Sequence, residues 1–357
     1  MEINLKDKLR TLRQQKNVTQ EALAKHLGIT PQSVGKWERG EGFPDITLLP
    51  RIAFYFNVTV DELLGVEQAR VEEAIAEYKR QSKNYLHDGE NLKNLEIWEK
   101  AYSEFPNDCR VVEGLMDALN NTTIYPRPRE DAERIIALAH ELLEKTTDSG
   151  QREHAIQTLC FTYDSIDKEK ALYYADMGGS FWATKLNLRA FVLDGEEGVE
   201  ACQYYIENLI HEAAMTAMTM TVKVHHSPEE SIEVFQFAID IIKRLYSDGN
   251  IGFESFNVSN FYHWIAMDYA VKKDAENTLR ALENSAKYAV ISANLKDMDY
   301  TAPMVNRLKY RDENTSKNYT GNECNIKLED FNDSRFDFVR DDEAFKKIIA
   351  ELEKNAE

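Results

Sequence analysis

The stretch "TPQSVGKWERG", Thr30 to Gly40, decides how this chain is read. Thr30 is a helix-capping side chain, and Pro31 suits the first helical position, where a missing N–H removes no bond. Val34 and Trp37, three residues apart, point inward together, while Gln32 and Lys36, four apart, share the opposite face. The segment is therefore a short helix, apolar beneath and hydrogen-bonding and mildly basic above.

Working outward, Leu5, Leu9 and Leu12 recur at helical spacing with Lys6, Lys8, Arg10 and Arg13 between them, an amphipathic first helix. Thr19 caps a second, short helix from Gln20 to Leu27, and Gly28 ends it in a turn that needs positive φ. Two short helices crossing steeply need a small residue at the crossing, a glycine in the turn and apolar residues beneath the second helix. Ala24, Gly28, Val34 and Trp37 supply all four. The local charge balance fits: residues 1–64 carry about +1 net charge and the rest about −20, against −19 for the chain.

This segment, residues 5–65, resembles the helix-turn-helix domain of the phage-repressor and Cro-like (XRE) regulators, whose fold is lambda-repressor-like. Glu38-Arg39-Gly40 matches the end of that family's recognition helix. Pro44-Asp45 matches the opening of the fourth helix, and Asp61 to Gly65, "DELLG", the close of the domain. The resemblance implies binding to double-stranded DNA at a pseudo-palindromic operator. Gln20 takes the family's phosphate-contact position, and Gln32 and Lys36 take base-reading positions, where glutamine pairs with adenine and lysine with guanine. Ser33 is a lesser base contact, and Pro31 replaces a side chain that is often polar in relatives. Arg13 and Glu38 match a buried ion pair between the first and third helices. Taken alone, a polar face such as Gln32 and Lys36 is a solvated surface; the four-helix pattern around it favours recognition.

The expected division is a DNA-binding domain over 1–66 and a tetratricopeptide-like helical-repeat (α-solenoid) domain over 67–357, which senses and dimerises and ends in a cap near 328–357. The whole is all-α. "EQARVEEAIAEYKRQSKNYL" reads as one long helix. "NLEIWEKAYSEFPND" looks like the second half of such a repeat, with Trp98 and Ala101 at packing positions and Ser82 and Tyr85 in the helix before. Looser echoes place Ala132, Ile136 and Ala139, then Ser231, Phe235 and Ala238, then Thr278, Leu282 and Ser285, at like offsets. Some five to seven hairpins, each unable to bury its apolar face alone, are expected to stack. Residues 307–327 read as a polar loop, and strands are not required.

A homodimer is expected because one small head reads too few bases for tight specificity. The layout also resembles the peptide-responsive regulators of Gram-positive bacteria, which bind short signalling peptides in the concave face, and so implies a quorum-sensing role. The concave register gives a candidate ligand groove for a peptide or small molecule: Arg110, Glu113, Asp117 and Asn120 on one helix, Asn260, His263 and Met267 on another. A rival reading makes the body a scaffold whose acidic surface docks a protein partner.

Other functions find no footing. No P-loop, nucleophile elbow, zincin or dinucleotide fingerprint occurs, so an enzyme is not expected. Cys109, Cys160, Cys202 and Cys324 are scattered and read as reduced thiols; no metal or cofactor is expected. "VHHSPEES" sets His225 and His226 beside Glu229 and Glu230, but adjacent helix positions diverge by about 100°. "DMGG" (Asp176 to Gly179) reads as a helix stop and Asn318-Tyr319-Thr320 as an idle sequon. No apolar run approaches the roughly 20 residues of a membrane span, and the first residues lack a signal-peptide core, so the expected location is cytoplasmic with no membrane contact.

Overall fold

The computed structural model describes residues 5–122, 127–224, 226–317 and 321–356, the side chains at 67 and 68 apart. The chain divides into two compact units, one of residues 1–82 with 96–115, the other of 83–95 with 116–357.

The first unit opens with five short helices: α1 (Leu5–Gln15), α2 (Gln20–Leu27), α3 (Pro31–Arg39), α4 (Leu49–Phe56) and α5 (Val60–Leu64). Each boundary has a local cause. Thr19, Thr30 and Thr59 accept from the main-chain N–H three residues on, and Gly28, Gly40 and Gly65 close α2, α3 and α5 at φ near +70°. That conformation strains any residue with a Cβ. Leu5, Leu9, Leu23, Leu27, Val34, Ile52 and Leu63 form a core of their own, with Trp37 at its edge. Burial of so many leucine-sized side chains, at about 1.5–3 kcal/mol each, is what holds elements this short together.

α6 (Val66–His87), α7 (Asn91–Glu104) and α8 (Cys109–Thr122) follow. Trp98 and Ala101 are buried, and the Trp98 indole N–H donates to Ser82 Oγ at 3.1 Å. Gly114 on α8 makes room for that indole; a Cβ there would lie 2.5 Å from the ring.

In the second unit α9 (Arg129–Lys145), α10 (Ser149–Asp164) and α11 (Lys168–Asp176) pack in succession, as do α12 (Lys185–Val192), α13 (Gly195–Lys223), α14 (Pro228–Leu245), α15 (Glu254–Val271) and α16 (Ala275–Ala293). This helix-on-neighbour order is that of a helical-repeat array, and the fold is all-α. Ala132, Ala139, Phe235, Ala238, Thr278, Leu282 and Ser285 are buried as the repeat offsets expect, while Ile136 and Ser231 are only half-buried. α15 and α16 are tied directly: Ser259 and Ser285 each donate a hydroxyl to the other's carbonyl at 2.9 Å.

The C-terminal region departs from expectation. Met298–Asp299 and Lys309–Tyr310 form a two-residue antiparallel ladder, too short to leave an alternating pattern. The supposed loop of 307–327 contains the start of α17 (Glu323–Asp330), which a six-residue 3-10 turn (Ser334–Val339) joins to α18 (Glu343–Asn355). Helix thus resumes at Glu323, inside the stretch expected to be a loop. α17 hides from a periodicity search because one of its most buried side chains is Lys327, at 0% exposure. His225 and the 318–320 sequon lie outside the described residues.

Candidate nucleic-acid interface

α3 is amphipathic in a strict sense. Val34, Gly35, Trp37 and Glu38 are buried, Ser33 is half-buried, and Gln32, Lys36 and Arg39 are exposed. Thr30 accepts from the Ser33 N–H at 3.3 Å, and its hydroxyl lies 2.9 Å from that of Ser33, so the Ser33 side chain is partly spent on the cap.

The buried Glu38 organises the rest. Arg13 donates to both its oxygens, at 2.6 and 3.0 Å, and to the Val18 carbonyl at 2.8 Å, which ties α1 to α3 and to the chain entering α2. Gln20 Nε2 donates to Glu38 Oε2 at 2.8 Å. Burial alone would push the Glu38 carboxyl up, but the bonds from Arg13 and Gln20 outweigh it and hold the group below the usual carboxylate range. A bidentate, charge-assisted pair of this kind sets geometry as well as energy.

Gln20, placed at the phosphate position by sequence, thus spends one of its two amide N–H groups on Glu38. Its carbonyl oxygen sits by Gly35, where an added Cβ would come within 3.4 Å of it. α2 and α3 approach closely at that glycine. Thr19, Gln20 and Pro31 line an open cleft at the N-terminal ends of both helices. Two contacts had no sequence-level reading. Arg39 is forked onto Glu41 by two 2.7 Å bonds, a pair detectable only as an i, i+2 opposition of charge. Lys6 rests its stem against the end of α3, 3.2 Å from where a Gly40 Cβ would be.

The proposed groove residues fare differently. On α8, Arg110 is held by Asp108 at 2.6 and 2.9 Å and by Glu72 at 3.1 Å. Its charge is thereby fixed further above the ordinary guanidinium range, first by Asp108. Glu113 is half-buried, Asp117 pairs with His154 at 3.1 Å, and Asn120 accepts from Arg127. On α15 the open face expected at Asn260, His263 and Met267 is covered. Lys327 of α17 donates to Asn260 at 2.6 Å, and the His263 ring lies parallel to Phe331 at 5.8 Å and edge-on to Phe336 at 6.0 Å. His263 is buried and Met267 packs on the same core. The cause is the C-terminal segment folding back onto α15.

The helix-turn-helix family model HTH_3 matches residues 9–63. Over 63 residues the chain is 37% identical to an uncharacterized HTH-type transcriptional regulator of Methanocaldococcus jannaschii, covering 18% of this chain and 96% of that protein. The chain belongs to the helix-turn-helix transcriptional regulators of this XRE type. It is also 46% identical over 68 residues to the HTH-type transcriptional activator BcrR of Enterococcus faecalis, 19% of this chain, and spans only 32% of BcrR's length. Among solved structures, Bacillus thuringiensis PlcR in complex with the peptide PapR7 and DNA aligns over 80% of this chain and 94% of its own, at 15% identity and a TM-score of 0.34. A score that low places no residue. Among the described residues no group of His, Cys, Asp and Glu is set to hold a metal ion, and no helix is long and apolar enough to cross a membrane.

Proposed function

We propose that the protein is a sequence-specific DNA-binding regulator that inserts α3 into the major groove, acts as a homodimer and uses its helical-repeat body as a sensor. The observation that carries the reading is the division of α3. Gln32 and Lys36 are exposed on one side, while Arg13, Gln20 and Glu38 pin the helix from the other. Such a helix presents two base-reading side chains at a fixed angle. The unbonded N–H groups at the start of α2, beside the Thr19–Pro31 cleft, suit a backbone phosphate.

Dimerisation is supported by the surface around α12. Phe191 is 89% exposed and Trp182 and Val192 each 73%, with Phe181 and Leu188 about half exposed. An apolar patch of this size on a helix with no buried residue calls for a cover, and a second copy also supplies the second DNA-reading head. Sedimentation of the full chain should show a dimer at micromolar concentration. Phe191→Asp should yield monomers that keep their helical content and lose affinity for a two-half-site operator. A wild-type monomer, with and without DNA, contradicts the reading. The scaffold alternative draws on the C-terminal segment that buries His263 on α15, which speaks against a peptide lying there. It predicts a monomer whose α12 face is covered by a different protein.

A further inference from the structure

A cavity of about 390 Å3 is formed by α13, the start of α15 and the segment from Tyr300 to Ser316. Most of its charges are already matched. His211 Nδ1 lies 2.7 Å from one Glu254 oxygen, and Asn257 donates to the other at 2.9 Å. Arg311 is held by Asp299 at 2.6 Å and by the Met298 carbonyl at 2.9 Å.

Among the described residues, two ionisable side chains of opposite sign make no ion pair. Glu207 accepts a hydrogen bond from the Tyr246 hydroxyl at 2.6 Å, while its neighbour His211 faces Glu254. Burial, with the nearby Glu254 carboxylate adding to it, pushes the Glu207 carboxyl above its ordinary range against the opposing effects of Tyr246 and His211. Lys309 stands exposed at the rim, across the ladder from Asp299, whose carboxylate is committed to Arg311. Between these ends the wall is aromatic. The Tyr246 and Tyr300 rings meet tilted, with centroids 5.1 Å apart, and Tyr204 and Phe253 keep 47% and 46% of their surface exposed.

We propose that this cavity binds a small amino-acid-like zwitterion, with its ammonium on Glu207, its carboxylate toward Lys309 and an apolar or aromatic side chain against Tyr204 and Phe253. An ammonium beside a half-buried carboxylate and aromatic faces gains a charge-assisted hydrogen bond and a cation–π contact together. The volume suits one small molecule. A simple anion would meet Glu207, and a simple cation would meet Lys309; a ligand carrying both charges satisfies both ends. The same wall has a second task. Asp312 lies 3.1 Å from His87, Asn314 accepts from Lys83 at 3.1 Å, and the Lys317 N–H donates to the Leu86 carbonyl at 2.7 Å. A ligand resting on Asn314 and Thr315 acts on the residues that grip the last turn of α6, the helix that begins directly after Gly65.

The site does not depend on the DNA-binding reading and is tested without DNA. Calorimetry on the full chain uses three probes: L-phenylalanine, 3-phenylpropionate, which lacks the ammonium, and phenethylamine, which lacks the carboxylate. L-Phenylalanine should bind best, with 3-phenylpropionate about tenfold weaker, the value of one charge-assisted contact. Glu207→Gln should weaken L-phenylalanine about tenfold and erase its advantage over 3-phenylpropionate. Lys309→Met, an exposed and structurally mild change, should weaken L-phenylalanine but not phenethylamine. No heat from any probe at millimolar concentration overturns the proposal. So does an unchanged L-phenylalanine affinity in both variants.

Discussion

Helices α3 and α15 both carry polar residues at helical spacing on a single face, and only α3 keeps that face open. Gln32 and Lys36 remain in solvent because nothing in the head's own core reaches over them. His263 is buried beneath Phe331 and Phe336, and Asn260 is half-buried under Lys327, residues more than sixty positions downstream. A polar stripe is a binding face only where no distant part of the chain lands on it, and that is a tertiary fact. The two helices also use charge differently. Glu38 and Arg13 hold α3 from behind and leave its front free, whereas Lys327 is itself the lid over α15.

The sharpest way to break this contrast is to remove the lid's charge. Lys327 Nζ lies 2.7 Å from Asp330 and 3.4 Å from the buried Glu323, besides its bond to Asn260. Lys327→Met should strand those partners and destabilise the body by about 3–5 kcal/mol. Chemical denaturation followed by tryptophan fluorescence reads it, and a loss under 1 kcal/mol shows that α17 only rests on α15. The matching change in the head is Arg13→Met, which leaves Glu38 buried with Gln20 alone and should cost about 3 kcal/mol. Arg10→Met, at an exposed position on the same helix, should cost little, and equal effects would remove the lock from the account.

A third test separates the two faces by pH. Burial, with the nearby Lys327 charge adding to it, pushes His263 down to about 4 from an ordinary value near 6.5, against the opposing carboxylates of Asp330 and Asp333. The folded state thus refuses a proton that the unfolded chain accepts below pH 6.5. The associated stability is complete above that pH and is lost as pH falls toward 4, roughly 2 kcal/mol between pH 7 and 5. His263→Leu should flatten that slope. An unchanged slope would mean the ring is reached by water.

The caps and the crossing of the head were legible because their causes are local. Thr19, Gly28, Thr30 and Gly40 each act within four residues. The exposed front of α3 was legible for the same reason, since one helix decides which residues share a side. The Gln20–Glu38 bond was not, because the amide that suits a phosphate suits a carboxylate equally well and only the packing chooses. α17 was missed because burying a lysine breaks the link between apolar period and helix. The cavity around Glu207 draws on residues from 204 to 316, and no spacing rule joins positions a hundred residues apart.

The smallest expected effect bears on the central claim, that the open face of α3 reads bases. DNA bound by the full chain should be selected from a randomised library, and affinities for the enriched sequence and a scrambled one then measured for Gln32→Ala and Lys36→Ala. The enriched sequence should consist of two dyad-related half-sites. Each variant should lose about 1–3 kcal/mol on it and relax one or two base pairs, while binding to the scrambled DNA hardly changes. Failure to enrich any sequence, or equal losses on both DNAs, would contradict it and leave α3 as a solvated face.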